Sequence, residues 1–153
     1  MRRKEREIND IKEIEKLIIG ADVCRIGFVD GDEPYIVPVF FGYESNTIYF
    51  HSAWEGRKVN LIKKNNKVCF ELDTDIEIIQ SDNSCDWGSK YRSVIGTGRA
   101  FFVTDNQEKI DGLNVIMKHY SSDMFQFSQE KLNHVLIVRI DIDSIHGKKA
   151  GYL

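Results

Sequence analysis

The sequence predicts a mainly β protein with peripheral helices, folded as a small antiparallel barrel. Three observations carry that prediction. At least six segments alternate apolar and polar residues at the period of a strand. They follow one another mostly in hairpin order, with turn signals at Asp30-Gly31-Asp32 and Glu44-Ser45-Asn46. Only three segments carry helical periodicity, too few to sandwich the strands between helix layers.

The elements read as follows. Ile8, Ile11, Ile14, Leu17 and Ile18 recur at helical spacing over 8–19, and Gly20 is a stop. Strands follow over 23–29 and 34–43. Pro38 falls inside the second, and it donates no ladder hydrogen bond, so it marks a bulge, an edge or a place where a ligand takes over. A strand over 47–51 leads into a short loop and a basic helix start at Gly56-Arg57-Lys58. The run 67–73 alternates again and 76–79 extends it. Residues 81–90 form a polar loop with Cys85 and Trp87. A long strand over 91–103 contains Gly96 and Gly98, which signal bending or close approach of another backbone. A helix over 105–120 presents Ile110, Leu113, Ile116 and Met117. A last strand over 135–142 precedes the tail His146-Gly147-Lys148-Lys149-Ala150-Gly151. There is no internal repeat or linker, so 1–153 reads as one domain.

Composition narrows the functional classes. The chain has 153 residues, 42% of them hydrophobic, which suffices for a buried core. A formal net charge of -3 argues against a general nucleic-acid binder. No apolar run spans a bilayer, and the charged start MRRKEREIND lacks the apolar segment of a signal peptide, so a cytoplasmic protein is expected. The three cysteines form no CxxC pair. Cys24 and Cys69 sit in apolar strand runs and read as buried thiols, whereas Cys85 is the more exposed. The four histidines, His51, His119, His134 and His146, lack metal-ligand spacing, so no metal site is expected. His51 and Ser52 are adjacent in a strand and point to opposite faces, which rules out a nucleophile–base pair.

The corner over 47–66 holds the strongest chemical signal. A helix N-terminus favours anions through its free N–H groups and its dipole. Arg57 and Lys58 add two cations where, without an anion, cations are mildly unfavourable. A phosphate is the natural ligand, with an attached aromatic ring lying along the strand. A solvated basic helix face, continued by Lys63 and Lys64, is the alternative reading of the same spacing.

The order PYIVPVFFGYESNTIYFHSAWEGRKVNLIKKNNKVCFEL resembles the FMN-binding split β-barrel proteins related to pyridoxamine 5′-phosphate oxidase, and most closely their nitroimidazole-resistance branch. The run from Tyr91 to Ala100 and the tail from Ile145 to Ala150 are similar to that branch as well. Substrate elements of a true pyridoxamine phosphate oxidase are missing. The resemblance implies FMN as cofactor, its phosphate held by Arg57 and Lys58 with help from Ser52 and the backbone near Ala53. It implies Pro38, Val39 and Phe40 flanking the isoalloxazine. It implies a homodimer with the flavin at the interface, Trp87, Tyr91 and Ser93 covering the ring from the second chain. Trp87 reads equally as a core or interface anchor. His51 is placed beside the flavin as the catalytic candidate, or else is a hydrogen-bonded strand-end residue. His146 and Lys148 either rim the site or belong to a solvated tail. The implied activity is electron transfer from NAD(P)H through FMN to a small acceptor such as a nitroaromatic. A carrier, sensor or store of flavin without efficient turnover is the second reading, and a haem- or deazaflavin-binding barrel the third.

Overall fold

The computed structural model describes residues 3–152, and every structural statement below concerns those residues. The chain forms eight strands and four α-helices: β1 (Glu7–Ile8), α1 (Ile11–Gly20), β2 (Cys24–Asp30), β3 (Glu33–Val39), β4 (Phe41–Glu44), β5 (Thr47–Ser52), α2 (Arg57–Lys64), β6 (Lys67–Ile79), β7 (Gly88–Val103), α3 (Asn106–Tyr120), α4 (Gln129–His134) and β8 (Leu136–Ala150). All strand pairings are antiparallel, and the sheet runs β3-β2-β6-β7-β8-β5-β4, with β1 added against β8.

That order explains the barrel. β3 and β4 are the two ends of the sheet, yet Phe40 alone separates them in sequence. The sheet must therefore curl until its edges meet, and the seam falls at Phe40. The expected single strand over 34–43 is thus two strands. Pro38 sits opposite Arg25 on the edge strand β3, where a missing donor faces no further ladder. At the seam itself no ligand is needed to satisfy the chain: the Phe41 N–H donates to the Tyr120 hydroxyl at 2.9 Å.

The core is lined by the inward residues of the long strands. Ile26, Phe41, Ile48, Phe50, Phe70, Leu72, Val94, Val138 and Ile140 are all fully enclosed, and Ile14, Leu17 and Ile18 of α1 close one end. Gly96 is the anticipated close approach of another backbone: a Cβ there would lie 2.7 Å from the Ser144 carbonyl oxygen and would also meet the Phe70 ring. α1 starts on the Asp10 cap, whose carboxylate accepts the Lys12 N–H, so Ile8 lies outside the helix and pairs with Gly147 instead.

Other boundaries move for packing reasons. β6 continues through an irregularity at Thr74–Glu77 as far as Ile79, and β7 begins at Gly88, which shortens the polar loop to 80–87. β8 continues past Ile142 to Ala150, because β7 offers it a partner along its whole length. The expected tail is therefore strand. α4 is short and its apolar signal reduces to Leu132, which sequence periodicity does not detect. On α3 the buried side is Lys109, Gly112 and Ile116, while Leu113 is only half-buried, so the packed face is turned from the one the apolar spacing predicted. Cys24 is enclosed and burial pushes its thiol up to about 12. Cys69 lies on the outer face of β6 and is exposed, contrary to expectation, because the inward positions of that strand are Val68, Phe70 and Leu72. No helix is long and apolar enough to cross a membrane.

Candidate functional site

β5 ends at Ser52, and the chain turns through Ala53-Trp54-Glu55-Gly56 into α2. The alternation of β5 sends His51 outward and Ser52 inward, so His51 is exposed and Ser52 is buried beside the loop. Three helices have side-chain caps, from Asp10, Asp105 and Ser128. α2 has none, since Gly56 at its cap position carries no side chain. The first-turn N–H groups of Arg57, Lys58 and Val59 thus meet no side-chain acceptor from their cap, while the Asn60 N–H already bonds the Gly56 carbonyl.

The two cations of this turn differ. Lys58 is half-buried over the face of Phe50, 5.2 Å from the ring centroid, and has no acidic partner among the described residues. Burial lowers its pKa from the ordinary lysine value. Arg57 is exposed and already paired. Its Nε and Nη2 donate to Asp30 at 2.8 and 2.7 Å, its Nη2 also reaches Glu33 at 3.1 Å, and its guanidinium lies 4.5 Å above the Tyr35 ring. The Asp30 hydrogen bond raises its pKa further. The sequence reading of Asp30 as a turn residue did not foresee this contact.

The remaining candidates divide into two groups. Pro38 and Val39 end the edge strand β3, with Phe40 following at the seam, and β3 presents a row of backbone N–H and C=O groups that no neighbouring strand pairs. Val39 points into the core; Pro38 and Phe40 are exposed, and Phe40 packs edge-on against Tyr120 at 5.5 Å. Trp87, Tyr91 and Ser93 lie elsewhere. Ser93 and Tyr91 are on β7, three strand spacings or about 14 Å from β3 across the sheet. Trp87 stands half-exposed in the loop before β7, its indole N–H donating to the Ser81 carbonyl at 2.6 Å.

Ser93 has its own neighbourhood. It stands opposite Lys148, and Ile95 stands opposite His146. These four residues line a shallow cavity of about 220 Å³. Lys148 also sits 5.4 Å above the Tyr91 ring and lowers the pKa of that phenol. His146 and Lys148 are therefore sheet residues and not a solvated tail. A larger cavity of about 720 Å³ lies at the end of α3, and Tyr120, against Phe40, is its link to the β3 edge. No group of three or more His, Cys, Asp or Glu residues among those described could hold a metal.

The fold is an antiparallel split barrel whose α2 begins uncapped and doubly basic, an arrangement suited to an anion. Comparison with known proteins gives the family. The pattern described as pyridoxamine 5′-phosphate oxidase matches residues 10–149, and the chain belongs to that family. A Bacteroides thetaiotaomicron protein provisionally described as a 5-nitroimidazole antibiotic resistance protein is 33% identical, with a TM-score of 0.85 over 94% of this chain and 86% of that one. An FAD-binding protein from Mesorhizobium loti shares the fold at 21% identity, TM-score 0.71, over 95% of this chain and 98% of its own. The flavocytochrome Anf3 from Azotobacter vinelandii shares it at 15% identity, TM-score 0.85, over 99% of this chain and 72% of its own. A curated relative from Rhizobium meliloti, described as an uncharacterised protein, is 27% identical over 88 residues, 58% of this chain and about half, 51%, of its own length.

Proposed function

We propose that the protein is an FMN-dependent oxidoreductase that passes electrons from NAD(P)H to a small acceptor such as a nitroaromatic. One observation carries the reading: Lys58, half-buried and without an acidic partner, shares the first turn of α2 with Arg57 and with N–H groups that no side chain caps. A phosphate there would gain charge-assisted hydrogen bonds and relieve a desolvated cation. A ring attached to it would reach the unpaired backbone row of β3 near Pro38 and Phe40. When bound, FMN supplies hydride and single-electron chemistry. The chain's share is to anchor the phosphate through Arg57, Lys58 and Ser52, to orient the ring along β3, and to hold a protonable group, His51, on the exposed side of β5.

We infer a homodimer with the flavin between copies. Tyr91 and Ser93 lie on β7, three strands from β3 in the sheet order, and the sheet exposes Ile36 of β3 and Ile95 of β7, apolar surface that a second copy would cover. The cytoplasm is the compartment that suits such a reductase.

The experiment is direct. Purified protein should be yellow and release FMN on denaturation, identified by mass. Arg57→Ala with Lys58→Ala should lose FMN while keeping the fold; unchanged FMN affinity would refute the phosphate assignment. Sedimentation should give a dimer, and a monomer that binds flavin fully would refute the shared site. His51→Ala should slow NAD(P)H oxidation by roughly 10²-fold with FMN retained, the usual worth of a general acid. A flavin store or carrier would show FMN binding with negligible turnover, and released haem or deazaflavin would replace the cofactor assignment.

A further inference from the structure

Arg57 faces two anions of its own chain. Asp30 and Glu33 flank the β2–β3 turn and take the Nε and Nη2 side of the guanidinium, leaving Nη1 free of both. With Arg57 and Lys58 on one side and Asp30 and Glu33 on the other, the four side chains sum to no net charge. A phosphate dianion approaching the α2 turn therefore meets a neutralised corner with two carboxylates beside the arginine it needs.

We propose that Asp30 and Glu33 act as an internal anion that competes with the phosphate for Arg57, and so set how tightly a phosphate-bearing ligand is held. This rests on the reading of Arg57 and Lys58 as phosphate ligands. The contact is built to exchange. The side chains of Arg57, Asp30 and Glu33 are 47%, 30% and 75% exposed, so water can replace either carboxylate, and ion pairs in such surroundings are weak. Both carboxylates belong to one turn and can swing away without disturbing the β2–β3 ladder, which is paired throughout from Cys24–Val39 to Asp30–Glu33. Tyr35 lies under the guanidinium and keeps its plane in place while the in-plane partners change. A dianion with three acceptor oxygens outcompetes two weak carboxylate contacts, but its affinity is reduced by having to displace them.

The test compares FMN with riboflavin, which has the ring and no phosphate, on apo-protein freed of cofactor. Asp30→Asn and Glu33→Gln keep the shape of each side chain and remove its charge. The double variant should bind FMN about tenfold more tightly, each single variant by part of that, as two weak surface pairs allow. Riboflavin affinity should not move. Asp32→Asn removes an equal charge from the same turn, at a residue that makes no contact with Arg57 among the described pairs, and should leave FMN affinity unchanged. Unchanged or weaker FMN binding in the double variant overturns the competition, as does an equal gain from Asp32→Asn. If wild-type protein holds riboflavin as tightly as FMN, the phosphate corner itself fails and the competition with it.

Discussion

The Tyr120 hydroxyl joins two chain segments that are remote in sequence: it accepts the Phe41 N–H at 2.9 Å and donates to the Asp22 carbonyl at 2.8 Å. His119 beside it reaches the Ala21 carbonyl at 2.7 Å and packs on Phe41. The last turn of α3 thus completes the backbone bonding that neither edge strand supplies at the barrel seam. Burial raises the Tyr120 phenol pKa above its ordinary value.

Tyr120→Phe should therefore leave both backbone groups without their partner. The expected loss is about 1–3 kcal/mol, the usual result of orphaning part-buried polar groups, read by urea denaturation. Because the lost hydroxyl holds Phe41, next to Phe40 at the end of β3, FMN affinity should fall too, whereas a variant that lost stability alone would show that the seam does not position the β3 end.

Gly42 of β4 touches the backbone of α3. A Cβ at that position would stand 2.4 Å from the Val115 carbonyl oxygen and 2.6 Å from the Ile116 nitrogen. Helix backbone cannot give way as a side-chain tip can, so Gly42→Ala should destabilise by about 3 kcal/mol or more. A thermal midpoint within a degree or two of wild type would mean that α3 sits further from β4.

Lys58 should show opposite effects on stability and binding. Its pKa is lowered by burial, so the charged form present at neutral pH is the one the fold disfavours, and this group's stabilising share is lost as pH falls through its folded value. Lys58→Met should hold or raise the thermal midpoint of the apo-protein at pH 7. The same change should weaken FMN binding by roughly tenfold to a hundredfold, the worth of a hydrogen bond to a charged group. A lower midpoint together with unaltered FMN binding would make Lys58 a structural lysine.

Glu71 offers a pH test away from the corner. Burial and the nearby Asp73 raise its pKa, while Arg25 donates to both carboxylates at 3.2 and 2.7 Å. A carboxyl with a raised folded pKa favours the fold below its ordinary value, and that contribution disappears as pH rises. Glu71→Gln should accordingly stabilise the protein at pH 7 by at most about 1 kcal/mol, since the pair is partly solvated. The gain should vanish at acid pH, where Glu71 is already protonated. Denaturation series at the two pH values check the sign.

Much of this protein is written in short-range patterns. Alternation along β2, β5, β6 and β7 determines which residues face the core, because a strand repeats every two residues whatever its partners. The turn signals at Asp30–Asp32 and Glu44–Asn46 locate two hairpins, and Gly56-Arg57-Lys58 locates a helix start open to an anion. Those are local properties of backbone and charge. The tertiary structure decided what depends on neighbours distant in the chain. It split the run from Pro34 to Tyr43 at Phe40, since the Tyr120 hydroxyl takes the backbone donor there. It extended β8 to Ala150, since β7 was long enough to pair with it, and it turned the packed face of α3 toward Gly112, since only a glycine lets the helix sit against Tyr49 and Ile137. It also brought Asp30 and Glu33 onto Arg57, an encounter between a hairpin turn and a helix start that no spacing in the sequence encodes. Periodicity reports the face a residue presents; which partner meets that face is settled by the closing of the barrel.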